Sequence, residues 1–477
     1  MATSMCRAWV SRNIKVFSRG ISFSARRHLL SEAYSCQDAW QKRLQSPILS
    51  NVSLNEFAVQ LRDRFEKQKR ASVIDVDILV NKMHEMDVSD ADYMEDLIHR
   101  FRNSEDAIPV RDSIVHAIVR AYIDLGLTDR LLDMMRNRRD YGIFPDSYAT
   151  NILMDHFIKG DNYADAARVS YEVMLQEDFS HPISFRLSLL AAVKHLLTSN
   201  MADLALQPTP DNPEEEEDWV KVKVIRFPYY DDHFDIKDER FLLGKTLYML
   251  GGCVQNNDRL SSSLKVMGLG LYQKFDKGLH LLEEIANTNK KDAIHEEALK
   301  IFDESIKNAE TRDPNLEEKD FGLRTIDDEV FKLRLTPDGK EEVTQRFEEI
   351  ALKLRRNNQT VEDSMLPVVE SLAVSELPTH EAADMTAQRA MLERWEKERS
   401  ELVEAQMKQY MKQQREEEIK QQLKELQEKE ELLRYFELRD QIILAKSRAP
   451  EIKPPIVDDD ETLREKRIKR RKYRHHI

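Results

Sequence analysis

The sequence predicts an all-α protein: a solenoid of stacked helical hairpins, further helices after it, and one long helix near the C-terminus. Three observations carry that reading. Apolar residues recur at i, i+3 and i+4 through most of the chain, the spacing of helix faces. Only 12 glycines and 15 prolines interrupt 477 residues. Leu, Glu, Lys, Gln and Met are abundant instead, and their straight side chains lose little rotamer freedom in a helix. Finally, apolar markers return at a fixed interval. Leu79, Val115, Ile152 and Leu189 are separated by 36, 37 and 37 residues, and Pro109, Pro145 and Pro182 keep the same step.

Residues 1–28 read as a mitochondrial transit peptide. No acidic residue precedes Glu32, whereas Arg7, Arg12, Lys15, Arg19, Arg26 and Arg27 are basic, with serines and apolar residues between them. An acid-free, arginine- and serine-rich amphipathic start is what import requires; a plain basic arm is the alternative. Arg19, Ile21 and Ser24 also resemble the arginine-based motif of two-step matrix processing, which implies a mature start near Leu29. The whole chain has a net charge of −14. Without those six cations the remainder stands near −20, so any polyanion contact must be local.

Residues 29–70 form an N-terminal segment, and residues 71–200 carry the repeats. Each repeat pairs two short amphipathic stretches. Ile114, Ile118, Ala121, Tyr122 and Leu125 precede Leu131, Met134 and Met135. One repeat later, Tyr148, Ile152, Leu153 and Phe157 precede Tyr163, Ala166, Ala167, Val173 and Met174. Neither stretch can bury its stripe alone, so successive pairs must stack.

Residues 201–226, with Pro208, Pro210, Pro213 and the run 214–218, read as an acidic, proline-rich linker. Helical patterning returns over 227–310. Residues 311–340 are charged and expected to be flexible, and 341–378 hold short helices. Neither glycine nor proline occurs between Thr379 and Ala449, which predicts a long charged helix over 379–449. Its apolar positions (Trp395, Leu402, Tyr410, Leu423, Leu426, Leu433, Phe436) make a thin seam suited to lying along a larger partner.

Residues 450–477 are a basic tail. Arg464, Lys466, Arg467, Lys469, Arg470, Arg471, Lys472 and Arg474 are opposed only by Glu465. Such clusters neutralise phosphates without choosing sequence, and Tyr473 could stack on an unpaired base. These nine residues are candidate nucleic-acid contacts; a solubilising tail is the alternative.

Residues Ser147–Met174 resemble a pentatricopeptide repeat, with a Tyr–Asn–Leu opening, a small turn at Lys159-Gly160-Asp161 and an alanine-centred second helix. With the flanking Tyr141–Asp146 and Leu175–Phe179, and with Arg26–Tyr34 further upstream, the chain resembles a pentatricopeptide-type family of the mitochondrial small ribosomal subunit. The resemblance is strongest over residues 26–200. It implies a structural component in the mitochondrial matrix that contacts small-subunit rRNA and neighbouring ribosomal proteins in support of mitochondrial translation. It also implies that polar residues early in the first helix and at the repeat end could read bases. Asn151 holds the early position of the best repeat, with Asp146 at a repeat end. Val115 holds the early position one repeat before, so sequence reading looks degraded. An organellar RNA-processing or transcript-stabilising factor is the rival class; it needs more repeats with complete polar pairs.

Enzyme signatures fail on inspection. Gly244-Lys245-Thr246 ends like a phosphate loop, but Glu239 stands where the first glycine must be. Gly268 and Gly270 lack the third glycine of a dinucleotide loop. Cys6, Cys36 and Cys253 have no metal-ligand or disulfide spacing. No cofactor, metal, membrane span or small-molecule substrate is expected.

Overall fold

The computed structural model describes residues 29–104, 107, 111–199, 238–288, 290–311 and 335–448. The segments expected to be a transit peptide, an acidic linker and a basic tail with Arg464–Arg474 therefore lie outside the described residues, as do Pro109 and most of the charged 311–340 stretch. The chain divides into two units between Ser400 and Glu401.

The first unit, Met1–Ser400, contains a stack of helical hairpins, in keeping with the all-α solenoid that the sequence predicts. A 3-10 turn, Glu32–Ser35, leads into α1 (Gln37–Leu44), α2 (Pro47–Ser50) and α3 (Leu54–Gln68). The hairpins follow: α4 (Val73–Lys82) with α5 (Ala91–Arg102), then α6 (Asp112–Asp124) with α7 (Thr128–Arg136). After the one-turn α8 (Arg138–Tyr141) come α9 (Ser147–Lys159) with α10 (Tyr163–Leu175), and α11 (Pro182–Thr198). First helices stack on first helices in the order α4, α6, α9, α11. Leu79, Val115, Ile152 and Leu189 lie on these four successive helices. Leu79, Val115 and Leu189 are buried and Ile152 half-buried.

The repeat boundaries have a local cause. Asp146 caps α9 by accepting from the Ala149 N–H at 2.8 Å, and Ser72, Asn162 and His181 cap α4, α10 and α11 likewise. Each satisfies an orphan donor of the first turn. Pro182 occupies the first turn of α11, where its missing N–H costs nothing. Pro145 instead stands just before a cap, so the two prolines mark the same boundary from opposite sides of it.

The second half continues the packing with α12 (Glu239–Cys253), α13 (Asp258–Leu271), α14 (Phe275–Asn287), α15 (Glu296–Lys307), α16 (Pro337–Arg356) and α17 (Leu366–Val374). Helix α16 begins at Pro337, inside the stretch expected to be flexible. Two short strands, β1 (Ile294–His295) and β2 (Thr360–Val361), pair in parallel, which the helical patterning does not signal.

The glycines of the failed loop motifs have a packing role. A Cβ on Gly268 would sit 2.5 Å from the Tyr248 nitrogen, and one on Gly244 would sit 2.6 Å from the Tyr272 nitrogen. Both positions must be glycine for α12 and α13 to press backbone against backbone. Gly278 makes room in the same way for the Phe302 ring, 2.5 Å from where its Cβ would be.

Two buried clusters result. One joins residues from Leu30 to Ala191 with Leu377, Leu392 and Trp395. The other runs from Ala167 to Ala373. The last helix, α18 (Leu377–Arg448), starts two residues before the expected boundary. Pro378 lies in its first turn, where proline is tolerated. Its residues up to Ser400 belong to the first unit, those from Glu401 to the second. No helix among the described residues is long and apolar enough to cross a membrane.

Candidate functional site

The first helices present a line of polar and aromatic side chains: Asp77 on α4, Ser113, His116 and Arg120 on α6, Tyr148 and Asn151 on α9, and Ser184 on α11. In an isolated stack of hairpins these would face solvent. Here all seven are buried, because the N-terminal turn, α1 and the start of α18 lie across them.

At one end the cover is ionic. Arg399 of α18 is fully buried and donates from Nε to Asp77 Oδ2 at 2.7 Å, and from Nη1 to Glu396 at 2.8 Å. Ser113, 36 residues after Asp77, donates its hydroxyl to the other Asp77 oxygen at 2.7 Å. Burial alone would raise the Asp77 carboxyl, but Arg399 and Arg43 hold it below the usual carboxylate range. Beside this pair the Arg43 guanidinium lies 5.2 Å from the Trp40 ring and 5.4 Å from the Trp395 ring. Its faces are held by cation–π attraction, while none of its nitrogens makes a hydrogen bond among the described residues. Burial, with the like charge of Arg399, lowers its pKa to about 9.

The middle is aromatic. His116, on α6, has Trp40 at 5.5 Å, Trp395 at 5.4 Å and Tyr148 at 6.0 Å, centroid to centroid. Arg120 donates from Nε to His116 Nε2 at 2.8 Å and reaches the Ser35 carbonyl at 2.5 Å. Because Nε2 accepts, the proton of the neutral ring belongs on Nδ1, an assignment made from this geometry. The Asp146 carboxylate stands 4.0 Å from Nδ1, beyond hydrogen-bond reach. Burial lowers the His116 pKa to about 4, against the raising influence of Asp146.

At the other end a chain of hydrogen bonds closes the cover. Tyr34 donates to Asp384 of α18, and Tyr148 donates to the Tyr34 carbonyl. Ser31 bonds Glu381 through both its amide and its hydroxyl. Arg186 holds the entry to α18 through the Ser375 carbonyl and Glu376. Burial, with the Asp384 charge, pushes the Tyr34 phenol above its usual range, so it stays a protonated donor.

Asn151, the candidate base reader, is wholly buried. Its Nδ2 donates to Tyr34 Oη at 3.0 Å, and its Oδ1 accepts from Ser184 at 2.7 Å. Asp146 is spent on capping. The amide chemistry that would read a base is turned inward, onto this chain's own tyrosine and serine. Sequence reasoning missed the residues that matter most here: Asp77, Arg399, Arg43, Tyr34 and Asp384. Only the 36-residue step from Asp77 to Ser113 gave a signal.

The fold and this network define a class, a helical-hairpin repeat protein whose first-helix face is covered by two of its own segments, Ser31–Arg43 and Leu377–Arg399. A family model described as mitochondrial 28S ribosomal protein S27 matches residues 1–425. The chain belongs to that family. It is therefore mitochondrial and a component of the small ribosomal subunit, all-α as its sequence predicts.

Proposed function

We propose that the chain acts in the mitochondrial matrix as a scaffold that binds small-subunit rRNA and neighbouring ribosomal proteins by shape and local charge, supporting translation without reading RNA sequence. One observation carries this: the face that base reading would need is buried under Ser31–Arg43 and Leu377–Arg399. Recognition then falls to outer surfaces and the chain ends. A docking role needs this kind of rigid presentation. The cluster Arg464–Arg474, with Tyr473, supplies phosphate contacts on this reading, and no catalytic step is assigned to any residue.

Sedimentation with crosslinking tests the proposal. The chain should travel with the small subunit in a mitochondrial lysate, and its RNA crosslinks should fall on rRNA. Crosslinks dominated by one messenger, with the chain in free fractions, would support the transcript-factor class instead. Deleting residues 464–477 should weaken RNA association and flatten its dependence on salt; an unchanged slope removes the tail from the RNA-binding surface.

A further inference from the structure

The hairpin of α12 and α13 carries a charge opposite to that of the chain. From Arg240 to Lys274 the cations are Arg240, Lys245, Arg259, Lys265 and Lys274, and Asp258 is the single acid, whereas the whole chain stands at −14. Helix periodicity sorts the side chains. On α12, Phe241, Lys245, Tyr248 and Gly252 follow at i, i+4, i+7 and i+11, within about 60° of one another. Phe241 and Lys245 are half-buried, Tyr248 is 38% exposed and Gly252 is exposed. On α13, Ser261, Lys265 and Tyr272 share one face in the same way and are half-buried. Neither stripe holds an acidic residue.

Glycine packing merges the two stripes into one surface. A Cβ on Gly251 would lie 2.9 Å from Lys265 Cγ, just as one on Gly244 would meet the Tyr272 nitrogen, and Ser261 donates its hydroxyl to the Gly251 carbonyl at 2.7 Å. With the backbones this close, side chains meet across the seam. The Phe241 and Tyr272 rings stand edge to face at 6.3 Å. The Lys245 and Lys274 ammoniums lie 5.5 and 5.3 Å from the Tyr272 ring centroid. They are therefore within about a Debye length of each other, and an anion brought to them lowers their mutual repulsion. The acids around the surface are mostly engaged: Asp238 with Arg240 at 2.8 Å, Glu239 with Arg168 at 2.9 Å and Asp258 with Lys290 at 2.7 Å. Exposed Asp276 stands at the margin, beside exposed Lys277.

We propose that this face of the α12–α13 hairpin is a docking surface for an rRNA segment with unpaired bases. Lys245, Lys265 and Lys274 meet its phosphates, while Phe241, Tyr248 and Tyr272 offer ring surface to bases or riboses. An acidic protein segment would meet the amines and leave the rings without a use; a nucleic acid uses both. The inference rests on the scaffold reading above and adds to it a folded RNA-binding surface, separate from the cluster Arg464–Arg474.

The test compares the full chain with two triple variants, one combining K245Q, K265Q and K274Q, the other K245R, K265R and K274R. Binding to transcribed small-subunit rRNA is measured across a salt series. The glutamine triple should flatten the slope of log affinity against log salt by about 2, at roughly 0.7–0.9 per phosphate contact, and the arginine triple should keep it. An unchanged slope in the glutamine triple, or equal losses in both triples, would overturn the proposal. A second line uses the unaltered chain in isolated small subunits. Ultraviolet irradiation should leave nucleotide on peptides from Phe241–Lys274. A carbodiimide bridge from Lys245 or Lys274 to the acidic run Glu214–Asp218 of this chain, or to another protein, would mean that the face is covered otherwise. Each of these failures leaves the scaffold reading intact, whereas absence of the chain from the subunit fraction would overturn both.

Discussion

Helix α18 carries two stretches with contrasting fates. In Leu377–Ser400 the inward positions Leu377, Glu381, Gln388, Leu392, Trp395 and Arg399 are all buried. In Glu401–Arg448 every position but the half-buried Val403 and Gln406 is exposed, and the ion pairs Glu404–Lys408 at 3.9 Å and Lys412–Glu416 at 4.0 Å are solvated. The buried stretch is the more polar on its inner face, and the exposed one is the more apolar between Leu432 and Leu444. Hydropathy therefore points the wrong way for both. What buries Glu381 and Arg399 is specific pairing with Ser31 and Asp77, and pairing fixes register rather than adding much net stability.

The largest expected effect follows from orphaning one member of such a pair. Arg399→Ala leaves Asp77 charged and buried, and should cost about 3–5 kcal/mol in urea unfolding. Arg434→Ala, on the exposed stretch, should change stability by less than about 0.5 kcal/mol. Equal effects would erase the contrast.

The next is a pH effect. The His116 pKa lies at about 4 in the fold against about 6.5 unfolded, so the unfolded chain binds the extra proton between those values. Stability from this group is complete above about pH 6.5 and is lost as pH falls toward about 4, at about 1.4 kcal/mol per unit. Unfolding at pH 5 should be easier than at pH 7 by about 2 kcal/mol on this account. H116Q should remove that part of the difference, and a variant that keeps it would show that other groups are responsible.

Ser113→Ala removes one neutral-to-charged hydrogen bond to Asp77 and should cost about 1–2 kcal/mol. The smallest change is expected for Glu404→Ala, which breaks an exposed i,i+4 pair worth at most about 0.5 kcal/mol. A calorimetric ranking that reversed these two would mean that the covered face is wet in solution.

The contrast also explains what the sequence made legible. The hairpins were visible because each first and second helix repeats an apolar stripe at 36 or 37 residues, and the long helix because no glycine or proline interrupts it. The covering of the first helices was not visible. Its contacts join Ser31 to Glu381 and Asp77 to Arg399, across more than 300 positions, and use residue types that ordinarily face water. Asn151 shows the limit most sharply, since an asparagine at that register serves equally well to read a base or to bridge Tyr34 and Ser184. Gly244 and Gly268 resemble remnants of ligand loops until helix packing gives them a reason.

A double-mutant cycle on Asp77 and Arg399 in the full chain, using D77N, R399Q and the double variant, measures directly whether α18 is clasped to the first helices in solution. A coupling energy above about 1 kcal/mol is the result expected for a buried contacting pair. Strictly additive losses would mean that the two residues do not meet, and that the repeat face stands open.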